Sequence, residues 1–171
     1  MFDKLIDWLI GFVDLFKFMT TIEPYERAVV TTLGKWIRIL EPGPHLIWPL
    51  AIDNIMTDGV VTRTNSTGTQ TLLSKDNISI SLSVIVRWRI SDIRKALLEV
   101  ESVDHAFRDI AFGRVAETVI QHTWEEIRTP AFTATLLKAC RKSGWRYGIE
   151  VEEVLFQDLT TTIPITLFNQ T

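Results

Sequence analysis

Hydrophobic and polar positions alternate most regularly between Ile78 and Ile90. Ile78, Ile80, Leu82, Val84, Val86, Trp88 and Ile90 fall on one side, and Ser79, Ser81, Ser83, Ile85, Arg87 and Arg89 on the other. A period of two over this length predicts a long, half-buried strand of an antiparallel sheet. Shorter apolar runs predict strands over Ala28 to Leu33 and Trp36 to Leu40, separated by the turn signal Gly34-Lys35. Pro42-Gly43-Pro44 reads as a stiff loop before the short run Leu46 to Trp48, which Pro49 closes. Val60 to Leu73 is rich in Thr and reads as an exposed strand loosened at Gly68, and Ser74 to Asn77 as a turn.

The period then changes from two to 3.6. Ser91-Asp92 caps a short helix through Val100. Asp104 to His122 forms a longer helix with a stripe of Val103, Ala106, Phe107, Ile110, Ala111, Val115, Thr118 and Val119. Thr123 and Glu126 have the spacing of a capping box. Thr129-Pro130 opens a last helix, whose buried side carries Phe132, Leu136, Leu137, Cys140 and Tyr147 before Gly148 ends it. Ile149 to Leu159 returns as a strand. The order predicts an α+β fold, with helices packed on a curved antiparallel sheet.

The first nineteen residues form a separate pattern. Asp3, Lys4, Asp7, Asp14 and Lys17 cluster on one side of a helix. The wide remaining face carries Phe2, Leu5, Ile6, Trp8, Leu9, Ile10, Phe12, Val13, Leu15, Phe16 and Phe18. Asp7 and Asp14 oppose a transmembrane span, since an Asp at the bilayer centre costs about 2.5–3.5 kcal/mol. A signal peptide lacks its positive start and small-residue cleavage site. An in-plane amphipathic helix fits, its apolar face sunk into the interface and Lys4 and Lys17 reaching outward. The other reading packs this helix on protein, either its own domain or a second copy.

Composition narrows the function classes. The chain has 171 residues, 46% hydrophobic and 23% charged, which describes a folded domain with a short appendage. Net charge is −3 with no basic block, which argues against nucleic acid as a partner. Cys140 is the single cysteine, so no intrachain disulfide forms, and its helix face suggests a small buried apolar residue. No catalytic set emerges. His105 with Asp109, and His122 with Glu125 or Glu126, lack the convergence of a zinc site. No serine sits in a Gly-x-Ser-x-Gly elbow, and the glycines are too scattered to cradle a phosphate. Glu152 and Glu153 are neighbours on a strand, so their side chains are expected on opposite faces. The expectation is a non-enzymatic protein with no catalytic, cofactor-binding or metal-binding residues.

Two stretches carry a family likeness. EPYERAVVTTLGKWIRILEPGPHLIWPLAID (Glu23 to Asp53) and LLSKDNISISLSVIVRWRISD (Leu72 to Asp92) resemble the start and middle of an SPFH domain. That module is shared by stomatin, prohibitin, flotillin and the HflK/HflC proteins. The closing run Gly148 to Val154 with Asp158 is similar to the last strand of the module. The chain departs from the usual loop pattern at Pro44 and Ile47. The resemblance divides the chain into an anchoring helix over 1–19, a domain over 22–164 and a short apolar tail over 165–171. It implies a hydrophobic anchor before the domain, with Phe2, Leu5, Ile6, Trp8, Leu9, Phe12, Val13, Leu15, Phe16 and Phe18 in contact with lipid. It also implies that Leu46, Ile47 and Trp48 dip into the membrane, the other reading for Trp48 being ordinary core.

Assembly is the second implication. Arg87 and Arg89 are candidate oligomer contacts or phosphate ligands, or else partners of carboxylates on a neighbouring strand. Ile163, Ile165, Leu167 and Phe168 are candidates to add a strand to a neighbour, or to fold back on their own domain. No heptad run is present for the coiled coil that builds cages in this family. The resemblance implies a membrane-associated scaffold on the inner face of a cell membrane, with itself, the bilayer and a membrane protease as partners. The alternative is a soluble oligomeric adaptor whose N-terminal helix contacts protein.

Overall fold

The computed structural model describes residues 18–49 and 52–162. Residues 1–17 of the helix expected over 1–19, and the residues from Ile163 on, lie outside the described residues. Among the described residues, eight strands form three antiparallel sheets. A two-stranded ribbon pairs β1 (Met19–Ile22) with β4 (Gly43–Leu46). A three-stranded sheet has the order β3 (Trp36–Leu40), β2 (Glu26–Thr32), β5 (Asp53–Gly59). The third has the order β6 (Arg63–Leu73), β7 (Ser79–Ile90), β8 (Ile149–Thr161). Between β7 and β8 lie α1 (Ile93–Leu98), α2 (Val103–Ile120), α3 (Trp124–Ile127), α4 (Pro130–Gly144) and a 3-10 turn, Trp145–Tyr147. The expected antiparallel α+β class is found.

The alternation read from the sequence becomes burial on β7. Ile80, Leu82, Val84, Val86, Trp88 and Ile90 all face the main core. Phe107, Ala111 and Val115 of α2 and Phe132, Leu136 and Cys140 of α4 close that core from the helical side. The Trp88 and Phe107 rings pack with centroids 5.1 Å apart. Burying each large aliphatic side chain there contributes about 1.5–3 kcal/mol. The helix starts follow the expected chemistry. Asp92 accepts from the N–H groups of Arg94 and Lys95, and Thr123 and Glu126 form a complete capping box. The Asp76 carboxylate, from the β6–β7 turn, accepts from the Trp124 N–H, which the capping box does not engage.

β2 reads as a solid apolar run because both of its faces are covered. Val29 faces the main core, while Ala28 and Val30 join Ile22 and Leu40 in a second, smaller core. That second core sits against the ribbon, so it fixes the ribbon to the domain.

Three strands escaped the sequence reading. β5 (DNIMTDG) is poor in strand-forming residues, yet the central strand β2 pairs it along its whole length. The backbone of a buried central strand needs partners on both sides, and this requirement overrides local propensity. Met19 was expected to end the N-terminal helix but begins β1. Thr20, Thr21 and Ile22 are β-branched and leave helix geometry readily. The stiff loop at Gly43-Pro44 is itself strand β4, with Thr21 opposite Pro44. A two-stranded ribbon tolerates Pro, because its outer edge needs no N–H.

Both neighbours of β7 carry an extra residue opposite Val84. On β6 the register shifts between Ser66 and Thr69, where Gly68 takes φ +74° and the Thr67 hydroxyl accepts from the Val84 N–H. On β8 the shift lies between the partners of Ser83 and Val84, leaving Gln157 unpaired. Gln157 Oε1 accepts from both Ser66 and Ser83. A bulge bends its own strand. Two bulges facing one residue curve the sheet over the helices.

Candidate membrane-facing end

The exposed apolar residues of the ribbon gather around one buried carboxylate. Met19 stands opposite Leu46, and beyond that pair the Ile47 N–H donates to the Phe18 carbonyl at 2.8 Å. Leu46 is 75% exposed, and Phe18, Met19 and Trp48 are exposed with it, while Ile47 is half-buried. Trp48 is therefore not a core residue. Its N–H donates to Asp53 Oδ2 at 3.0 Å. The Asp53 side chain has no solvent exposure and also accepts from the Thr32 hydroxyl and, at 2.6 Å, from Arg38. Burial works to raise its pKa, but hydrogen bonds from Thr32, Trp48 and Arg38 hold it below the ordinary carboxylate range.

The β2–β3 hairpin ends at the same place, since Thr32 pairs with both Asp53 and Trp36. Its turn residues Leu33 and Gly34 have φ values of +52° and +67°. Both central residues at positive φ make the tight turn favoured between twisted strands, a position that suits Asn or Gly. Leu33 is strained there and is 73% exposed, with Trp36 beside it at 69%. Strain held at an exposed apolar tip points to a use for the side chain. Sequence reading named Leu46, Ile47 and Trp48 but missed Leu33 and Trp36, which it took as the flanks of an ordinary hairpin. A Leu at the first position of a Gly turn was the available signal.

The other candidates are placed elsewhere. Arg87 pairs with Glu153 at 3.2 Å, and Arg89 pairs with Glu150 at 2.8 Å and Glu152 at 3.7 Å. Both arginines thus take the cross-strand partners that were one of the readings. Glu152 and Glu153 do not point to opposite faces. The register shift at Arg87/Trp88 makes both of them bulge residues between the buried Val151 and Val154, so both meet the arginine face. His122 Nδ1 lies 2.8 Å from the Thr118 carbonyl, with its ring edge-on to Phe132. Among the described residues, no group of three or more His, Cys, Asp or Glu could hold a metal ion. Cys140 is buried, and that burial pushes its thiol up to about 11 against a small opposing pull from Arg114. Among the described residues, no helix is long and apolar enough to cross a membrane. The residues Phe2 to Phe16 and Ile163 to Phe168 named for membrane and oligomer contacts lie outside the described residues.

Comparison with known proteins gives a consistent result. A profile of the SPFH domain / Band 7 family matches residues 20–163. An uncharacterised protein of Methanocaldococcus jannaschii is 26% identical over 89% of this chain and 79% of its own length. Stomatin-2 of Caenorhabditis elegans is 27% identical over 90% of this chain and 42% of its own. The modulator of FtsH protease HflK of Escherichia coli is 28% identical over 66% of this chain and 27% of its own. The chain thus spans less than half the length of the two named relatives.

Proposed function

Because the chain belongs to the SPFH domain / Band 7 family, we propose that it is a membrane-associated scaffold that assembles with copies of itself and gathers partner proteins at a bilayer. The observation that carries this reading is the coincidence of two features at one end of the domain. The amphipathic segment of residues 1–17 joins the domain at Phe18, and Phe18 is hydrogen-bonded to Ile47 within the exposed cluster. The helix lies in the interface plane, and Leu33, Trp36, Leu46 and Trp48 enter the same layer beside it. Tryptophan suits that layer, with an apolar ring and one N–H for the wet side.

The scaffold acts without a covalent step. Holding several copies on one patch of membrane raises the effective concentration of anything they bind. Similarity to a protein whose name makes it a modulator of a protease supports a membrane protease as one such partner. The domain faces the inner side of a cell membrane in this reading.

Flotation tests it. The full chain and a version starting at Phe18 are mixed with phosphatidylcholine vesicles and spun through a density gradient. The reading expects the full chain to float and the truncated one to float weakly or not at all. Sedimentation of both as one defined oligomer would mean that the N-terminal segment serves protein contact, and the soluble-adaptor reading would replace this one.

A further inference from the structure

Among the described residues β8 is an edge strand, and its beginning is covered. The Arg141 guanidinium, from α4, donates to the carbonyl of Val151 at 2.8 Å and to that of Glu152 at 3.2 Å. Among the described residues no strand pairs with the outer side of β8 from Glu153 to Leu159, and beside it runs a groove lined by Leu155, Phe156 and Leu159 of β8 and by Thr133, Ala134 and Leu137 of α4. Leu155 is 43% exposed. An open edge beside an apolar wall is a template for one more strand.

We propose that the segment Ile163 to Phe168 of a second copy is that strand. Six residues extended cover about 20 Å, and the seven from Glu153 to Leu159 cover about 23 Å, at roughly 3.3 Å each. Ile163, Ile165 and Leu167 alternate with Pro164, Thr166 and Phe168, so one face of the segment is wholly aliphatic and can lie on the groove wall. The proposal rests on the self-assembly reading above and supplies its contact.

The segment reaches a neighbour because it cannot easily reach its own groove. Docking in its own domain requires a sharp reversal straight after β8. The Thr162 N–H still donates to the Ser79 carbonyl at 2.8 Å, so the strand is paired up to that point. Tight reversals use Gly, Asn or Asp, and none occurs between Leu159 and Phe168. Pro164 also biases Ile163 toward extended geometry. Each copy then offers one donor segment and one acceptor edge on different parts of its surface. A head-to-tail contact of this kind closes into a ring when the rotation per copy permits.

The test mixes two full-length variants on vesicles, Ala134→Cys and Leu167→Cys, under mild oxidation with diamide. Position 134 is exposed and 167 lies outside the described residues, so circular dichroism of each variant accompanies the crosslinking to establish that it folds. The native Cys140 is buried and its thiol suppressed. The expected result is a covalent dimer that forms in the mixture and in neither variant alone. A chain carrying both substitutions should give a ladder of dimers and larger species. A fast-migrating monomer from the double variant, with no dimer in the mixture, overturns the proposal by placing the segment in its own groove. No disulfide at all, in a sample that amine crosslinking shows to be oligomeric, also overturns it and leaves the self-assembly reading intact. No disulfide and no oligomer removes both.

Discussion

The Arg63 guanidinium lies 5.5 Å from the centroid of the Trp88 ring. From there it donates to Asp58 of β5, to the Gly59 carbonyl at 2.9 Å, and to Asp104 in the first turn of α2 at 2.6 Å. One side chain of β6 thus ties the sheet that carries the apolar end to the sheet and helix that form the main core. Arg63→Leu would leave two partly buried carboxylates facing each other. The expected loss is about 2–3 kcal/mol, between a surface pair and a fully buried one. Urea unfolding of Arg63→Leu and of Arg63→Leu/Asp58→Asn checks it, the second change recovering part of the loss.

Gly148 ends the 3-10 turn at φ +71°, and its carbonyl accepts from the N–H groups of Ser91 and Asp92. A Cβ there would collide with the Asp92 carbonyl oxygen, which belongs to the N-cap of α1. Gly148→Ala is expected to cost more than about 2 kcal/mol, combining left-handed strain with the clash. Thermal unfolding followed by circular dichroism measures it. Gly113→Ala is the control, since its Cβ would meet nothing within 4 Å and a helix favours Ala there.

Asp53 gives a pH dependence with a definite sign. Its pKa is lowered in the folded chain, so its contribution is fully present above the unfolded value of about 3.9 and fades as pH falls through the folded value. Asp53→Asn should therefore be less stable than the parent at pH 7 and approach it as pH falls below the unfolded value and through the lowered folded one. Hydrogen exchange at pH 7 should also quicken at the Trp48 amide, which loses its carboxylate acceptor. A stability difference that stays constant down to the acid unfolding of the parent would contradict this assignment.

Phe132 is fully inside the main core, stacked on Phe156 at 6.0 Å and edge-on to His122 at 5.2 Å. Phe132→Ala should cost about 3–5 kcal/mol by loss of burial and a residual cavity. Denaturant unfolding reads that loss. Arg87→Ala removes a pair whose members are both about half exposed, and should cost less than about 1 kcal/mol.

The parts of the fold legible in the sequence were those where local pattern and global role agree. β7 alternates because one face is buried and the other is not, and α4 has Pro130 at its start and Gly148 soon after its end. β1 and β5 were illegible because pairing made them strands. Met19 to Ile22 finds Gly43 to Leu46 across the ribbon, and Asp53 to Gly59 is recruited by β2. The pair Glu152 and Glu153 was misread because a single inserted residue shifts the side-chain alternation, and the sequence carries no glycine to mark it. At the apolar end, Leu46 and Trp48 were legible from their loop. Leu33 and Trp36 were not, because tertiary contacts, the Thr32–Asp53–Trp48 hydrogen bonds among them, bring that hairpin beside the ribbon.

The central claim is that this end of the domain enters a bilayer. Full-length chains carrying Leu33→Cys, Leu46→Cys or Asp109→Cys, the last an exposed position on α2 away from both the apolar end and the β8 groove, are each labelled with the environment-sensitive fluorophore NBD and titrated with phosphatidylcholine vesicles. Cys140 stays unlabelled because it is buried. The account predicts a blue shift and several-fold brightening at positions 33 and 46, with little change at 109. Unchanged emission at 33 and 46 while the chain is bound to vesicles would contradict it.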